Sequence, residues 1–443
     1  MALGMIFQTM YYFVDLYFVG RLGDTAIAGV SAAGNVQFIV LALTQVLGVG
    51  TTALIAQAIG RKDTDDASLV FNQSTSLAFV CAVVTLVLGY GFAASYLGVI
   101  GADAATQAAG VRYLFWYLPG LALQFALISM GSALRGAGVV KPGMLVQMMT
   151  VVLNAILAPI LIAGWGTGRP MGVAGAGLST SIAIAIGVAV MLFYFRNDHR
   201  VRFNASMLRV RRDVWARILK IGLPSGGEFL LMFAFMGVIY YVIRDFGAPA
   251  QAGYGVGSRV MQGVFLPAMA ISFATAPLAG QNFGAGRGDR VRETFRSAAI
   301  IGSIVMLIPT LLCQWNPDLL IRMFAKDPAV VSVGADFLRM ISWNFVASGL
   351  IFTCSGMFQA LGNTIPSLIS GAVRLATFGL PAIWLSRQPG FTMQQVWWLG
   401  VITVMLQMAF SVWLLRRELN LRFPVGSDVA RVTPPLVADA ASD

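Results

Sequence analysis

Runs of about 20 apolar residues recur along this chain from end to end, separated by short Gly, Pro or charged breaks. Each is long enough to cross ~30 Å of hydrocarbon as an α-helix. That repetition limits the fold more than any single motif does. A bilayer interior offers no water to backbone N–H and C=O groups, so a spanning segment must satisfy them internally. Only 11% of the residues are charged and 58% are hydrophobic, whereas an average soluble domain carries about 25% charged residues. The chain therefore reads as an all-α integral membrane protein whose main partner is the lipid bilayer. Twelve transmembrane helices are expected, at 1–19, 36–59, 74–99, 113–135, 142–163, 172–195, 218–243, 259–283, 296–316, 333–360, 365–386 and 394–415.

A net charge of +11 would suit a nucleic-acid partner, but the basic residues lie between spans and not on a soluble domain. No nucleic-acid role is expected. The connections after even-numbered spans, with the C-terminus, hold 20 Arg and Lys, among them Arg61, Lys62, Arg211, Arg212, Arg287, Arg290, Arg416 and Arg417; the other side holds nine. By the positive-inside tendency both termini are cytoplasmic, in a multi-pass protein of the cell (inner) membrane. Cys81, Cys313 and Cys354 fall inside apolar spans, and the single histidine, His199, sits in the basic loop RNDHRVRF. No metal cluster or His-based catalytic group can be assembled from these, so neither a cofactor nor an enzyme is expected. The tail after Phe423 has no periodicity and reads as disordered.

The sequence is duplicated. A shift of 224 places GDTAIAGVSAAGNV (23–36) on GAPAQAGYGVGSRV (247–260), and TTALIAQAIG (51–60) on TAPLAGQNFG (275–284). From 23 to 60 the ungapped comparison gives ten identities in 38 positions, where about three would arise by chance in so biased a composition. Gly138 and Pro142 fall on Gly362 and Pro366. An offset of six spans, an even number, gives both halves the same orientation, related by a pseudo-two-fold axis along the membrane normal. The expected organisation is a six-helix lobe over 1–195, a basic cytoplasmic connector over 196–217, a second six-helix lobe over 218–415 and a cytoplasmic tail over 416–443. Position 1 falls on Ser225, so the first lobe lacks a counterpart of ILKIGLP (218–224). Either the natural start lies upstream of Met1 or the first helix is truncated by about two turns.

Two acids lie well inside spans, Asp15 and Glu228. A carboxylate near the bilayer centre costs several kcal/mol unless it is paired, hydrated or protonated, which makes each a candidate functional site. Asp15 has a bland reading, an acid near a helix end reaching headgroups, but depth favours a cluster. Counting residues at ~1.5 Å each puts Asp15 ~8 Å, Thr180 ~12 Å and Asn154 ~14 Å inside the outer ends of their spans, in one layer. Tyr11, one turn before Asp15, shares its face. Such a group suits uptake of a proton or a small cation. Glu228 and Arg374 sit at comparable depth in the second lobe, where they either form an ion pair or take part in coupling; Arg259 is a rival partner for Glu228. Asn35, Gln37, Gln45, Gln57, Gln262 and Gln281 are candidates for lining a central cavity.

The stretches VDLYFVGRLGDTAIAGV (14–30), ALRGAGVVKPGM with LNAILAPILIAG (133–164), GVAGAGLSTSI (172–182) and AGYGVGSRVMQGVFLPAMAISFATAPLAGQNFGAG (252–286) resemble the multidrug and toxic compound extrusion (MATE) family of the MOP flippase superfamily. The resemblance runs to about residue 420. It implies a secondary active antiporter that exchanges Na⁺ or H⁺ for amphipathic, often cationic compounds, working as a monomer by alternating access of its two lobes. The family's first-lobe cation site maps onto Asp15, with Tyr11, Asn154 and Thr180 around it, so a transient Na⁺ at Asp15 is one option. Two departures stand out. Ala158 occupies the position of a second acid that many relatives carry, and Glu228 stands about one turn before the acid of one branch of the family, with no acid from Leu338 to Pro366. A single first-lobe carboxylate favours H⁺ over Na⁺, since a proton needs one base and a metal ion several oxygens. The rival readings are a lipid or oligosaccharide-lipid flippase of the same superfamily and, more remotely, a membrane-embedded enzyme.

Overall fold

A computed structural model describes residues 18–424 apart from 21, 101–102, 167 and 198–199. The helices are α1 (Asp24–Gly34), α2 (Val36–Gly60), α3 (Thr64–Ile100), α4 (Ala104–Gly136), α5 (Val140–Ile162), α6 (Val173–Asn197), α7 (Arg212–Ile243), α8 (Ala248–Gly284), α9 (Gly288–Trp315), α10 (Pro317–Arg322), α11 (Pro328–Ile341), α12 (Phe345–Ala360), α13 (Ile365–Leu385) and α14 (Met393–Arg422). Among the described residues, eleven helical stretches are long and apolar enough to cross a membrane, with α1 and α2 forming one stretch and α11 and α12 another. Each overlies one of the expected spans after the first; the first lies almost wholly outside the described residues.

Several helices outrun the apolar runs that announce them. α3 begins at Thr64 rather than 74, and its extra turns carry Ser68, Asn72 and Gln73, all buried. These polar residues face the connector and not lipid. Asn72 Nδ2 donates to the Arg202 carbonyl at 2.8 Å, and its Oδ1 accepts from the Asn204 N–H at 3.0 Å. Gln73 Nε2 donates to the carbonyls of Met207 and Arg209, both at 2.6 Å, while its Oε1 accepts from Arg211 N–H at 2.8 Å. The connector thus gains from two amide side chains the partners that an irregular backbone lacks. Asp66 completes the strap with ion pairs to Arg61 at 2.9 Å and Arg217 at 3.1 Å, the second tying α3 to α7.

The repeated Gly and Pro mark equivalent helix boundaries. Gly138 (φ 79°) and Gly362 (φ 72°) are left-handed residues just past α4 and α12. Each closes the helix with a bond back from the following N–H, Val139 to Leu134 O at 2.8 Å and Asn363 to Phe358 O at 3.0 Å. Glycine adopts this conformation without steric cost, and the proline four residues later lies in the first turn of the next helix.

One aromatic and aliphatic core, with Leu114, Leu118, Leu121 and Phe125, fills the first half and extends onto Val214, Ile218 and Ile221 of α7; another, with Tyr254, Phe337, Phe378 and Trp397, lies within the second. Within the bilayer, lipid is as apolar as these side chains, so close backbone approach takes over from hydrophobic burial. Gly120 packs on Ser181, and Gly177 on the backbone of Tyr113 and Tyr117. α3 and α9, equivalent in the repeat, turn Phe79, Val87 and Phe92, and Ile304, Leu307 and Leu311, outward to lipid.

Asn72→Leu removes both connector bonds while keeping an apolar filler. It is expected to speed limited trypsin cleavage at the arginines between 200 and 212 several-fold; unchanged cleavage would show that Asn72 does not hold the connector.

Candidate transport pathway

The two halves meet along α2, α7 and α8. At the end of the bundle that carries the connector, Gln57 Nε2 of α2 donates to the Ala360 carbonyl of α12 at 2.9 Å, and Gln281 Nε2 of α8 donates to the Gly136 carbonyl of α4 at 2.9 Å. Donors and acceptors are both related by the 224-residue offset, so the two bonds form one symmetric clasp. The acceptors belong to the last turns of α4 and α12, where an α-helix leaves carbonyls without internal donors. Gly60 and Gly284 let the chains close: a Cβ on Gly60 would collide with the Gln281 carbonyl, and one on Gly284 with the Gln57 carbonyl. Gly50, Gly222 and Gly226 give α2 and α7 the same intimacy.

The other end is looser. α2 is buried without interruption from 46 to 56, but Asn35, Phe38, Ile39 and Leu43 are exposed; on α8, Arg259, Gln262 and Gly263 are exposed while 275–277, 279 and 280 are buried. Asn35 and Arg259 are equivalent positions, as are Phe38 and Gln262. The described parts of both helices are thus packed closely near the connector and exposed toward the other end. Of the six residues expected in a cavity, Asn35 and Gln262 are exposed at this end and Gln37 and Gln45 are half-buried. Gln57 and Gln281 depart from that expectation, because their amides hold the two halves together.

In the first lobe Asp15 and Tyr11 lie outside the described residues. Asn154 and Thr180 are both buried, at 0% and 1% exposure, and Thr180 Oγ1 donates to Ala176 O at 3.2 Å. Gly187 packs on Thr150 and Gly175 on Leu161, an antiparallel register that brings Asn154 and Thr180 to within one turn of a common level. Ala158 is fully buried.

Of the two readings of Glu228 and Arg374, the direct ion pair is not formed. Glu228 Oε2 accepts from Ser367 Oγ at 3.0 Å and Ser355 Oγ at 3.2 Å. Arg374 instead lays its guanidinium over the Phe235 ring, 4.1 Å from the centroid. Register explains the separation. Thr364 bonds to Ile221 O, Leu368 packs on Gly227, Gly371 on Leu231 and Gly379 on Val238, so Arg374 stands beside Phe235, two turns or about 10 Å beyond Glu228. Arg259 is exposed at the far end and pairs with neither. Arg135 went unrecognised in the sequence because it closes an apolar run like an ordinary boundary charge. It is half-buried and donates to Ser132 Oγ at 2.7 Å, with Gly131 beside it.

A MatE family model matches residues 1–160 and 224–385, one copy in each half, and their starting points differ by nearly the repeat offset. The chain belongs to the MATE family. It is 26% identical over 400 residues to the multidrug export protein MepA of Staphylococcus aureus, covering 86% of this chain and 87% of that one. It is 28% identical over 407 residues to the probable multidrug resistance protein YpnP of Bacillus subtilis, covering 90% and 86%. A MOP superfamily transporter from Pyrococcus furiosus superposes with a TM-score of 0.88 at 23% identity, covering 95% and 94%. A MATE transporter solved in an outward-facing conformation does so with the same score and identity, again covering 95% and 94%. This is a multi-pass membrane transporter of the twelve-helix MATE fold, not an enzyme.

Two outcomes follow from the geometry. Glu228→Gln leaves no cation stranded, so the purified variant is expected to melt within about 3 °C of wild type, whereas a larger fall would indicate a charge partner. Gln57→Leu with Gln281→Leu removes both bonds of the clasp. With Cys81, Cys313 and Cys354 replaced by Ala, a cysteine at Ala360 is expected to react with maleimide several-fold faster in that background, and equal rates would mean that the clasp does not seal this end.

Proposed function

We propose that this chain is a secondary active efflux antiporter. It exports amphipathic, often cationic compounds across the cell (inner) membrane in exchange for H⁺ or Na⁺, by alternating access of its two lobes. The observation that carries this reading is the symmetric Gln57–Gln281 clasp, with equivalent stretches of the two halves left exposed at the other end. A pair of halves joined tightly at one end and exposed at the other fits one station of an alternating cycle, and two equivalent hydrogen bonds are a junction that both halves can release together. The names of the curated relatives, multidrug export and multidrug resistance proteins, support the drug class. The positive-inside bias assigns the clasped connector end, and both termini, to the cytoplasm. The export unit is a monomer, since each lobe supplies the other's gate.

Coupling rests on carboxylates used singly. Asp15, with Tyr11, Asn154 and Thr180, is the first-lobe candidate. Glu228, with Ser355 and Ser367, supplies the second lobe with a carboxylate between two hydroxyls. Among the described residues no group of three or more His, Cys, Asp or Glu gathers as it would for a metal ion. A lone carboxylate suits H⁺ better than Na⁺, because protonation satisfies it with one bond and changes which hydroxyls donate to it.

The test is uptake of rhodamine 123 into proteoliposomes under H⁺ and Na⁺ gradients imposed separately. A pH gradient is expected to drive transport and a Na⁺ gradient to do little. Asp15→Asn should lower the driven rate at least tenfold, while Asp15→Asn that transports at the wild-type rate would remove Asp15 from the mechanism.

A further inference from the structure

We propose that the interior of the second lobe contains a subsite for the carboxylate of an aromatic amphiphile, with Arg374 as its anchor. This rests on the efflux reading and adds the charge of the substrate. A guanidinium is always ionised, carries five donors in a planar fork, and is costly in a membrane interior unless those donors are met. The Arg374 guanidinium makes no ion pair among the described residues, and its Nε is buried without a partner. What it does make is the stack on Phe235, whose ring lies 4.6 Å from that of Phe378. Stacking occupies one face of the guanidinium and leaves its edges aimed elsewhere, the arrangement that accepts a carboxylate through two parallel N–H bonds.

A second orphan group stands at the same level. Ser370 of α13 and Ser411 of α14 share a hydrogen bond of 2.6 Å, which fixes the antiparallel register of these helices. Arg374 lies one turn beyond Ser370, and Gln407 one turn back from Ser411, so both occupy the next layer. Gln407 is 7% exposed, and its Oε1 is buried without a partner. Arg374 and Gln407 therefore stand at one level with no acid among the described residues of that layer, and the Gln407 amide, turned so that Nε2 takes the place of the unpaired Oε1, would add a donor for a carboxylate.

Glu228 sharpens the assignment. It lies on the same stripe, two turns away, too far to neutralise Arg374 directly, with Leu231 and Gly371 between the two layers. The packing of Leu231 on Gly371 closes α7 against α13 between the two groups, so the charge of Arg374 is left for a ligand to meet.

The experiment compares rhodamine 110, which has a free carboxylate, with rhodamine 123, its methyl ester, by fluorescence polarisation on the purified full-length protein. Arg374→Gln is expected to weaken rhodamine 110 about tenfold and to leave rhodamine 123 within twofold, in line with the loss of a charge-assisted pair. Should that variant not fold, Arg374→Lys makes the same comparison: it keeps the cation but not the fork, and is expected to weaken rhodamine 110 at least threefold relative to rhodamine 123. Equal effects on both dyes, or none, in the variant that folds would overturn the subsite. Failure of the wild type to transport either dye in vesicles would overturn the efflux reading instead, while leaving the binding comparison intact.

Discussion

Close approach of backbone to backbone is the interaction on which this molecule depends. Helices in lipid gain little from burying one apolar side chain against another, so the two halves are joined where glycines allow contact and where a side-chain amide can reach a free carbonyl. Gly60 and Gly284 supply the first condition, and Gln57 and Gln281 the second. The carbonyls they reach exist because α4 and α12 end there, and those ends are set by Gly138 and Gly362 in the left-handed conformation. Turn, helix end, clasp and sealed face thus form a single causal sequence, present twice.

The architecture was largely legible in the sequence. Length and hydropathy reveal a membrane span directly, because the bilayer allows so few backbone solutions, and the 224-residue offset exposed the pairing of the halves. Helix ends were harder. The apolar part of α3 stops where lipid stops, but the helix continues to Thr64 because Asn72 and Gln73 have a connector to hold. Hydropathy measures the solvent and not the helix.

Site residues were legible as types and not as partners. Glu228 and Arg374 stood out as charges within apolar spans, yet their depths were reckoned from span boundaries, while their relation depends on how α13 slides along α7. No single sequence carries that register. Gln57 and Gln281 were visible as a repeated pair, but a glutamine in a span looks the same whether it faces a lumen or a helix end. Arg135 was hidden by its position at the end of an apolar run, where arginine is ordinary.

The pattern of likeness and difference between the halves has a mechanical meaning. The positions of the clasp match across the repeat: Gln57 with Gln281, Gly60 with Gly284, Gly138 with Gly362. Polar positions inside the lobes differ. Asn154 falls on Phe378, and Arg374 on Thr150. A gate built from two equivalent bonds opens best when both give way together, so it keeps the two copies alike. A chamber is under no such constraint, and two chambers with different polar groups can divide the work of holding an ion and a substrate. The clasp therefore couples two unlike interiors through one symmetric seam, which is how an event in either lobe would be felt at the same gate.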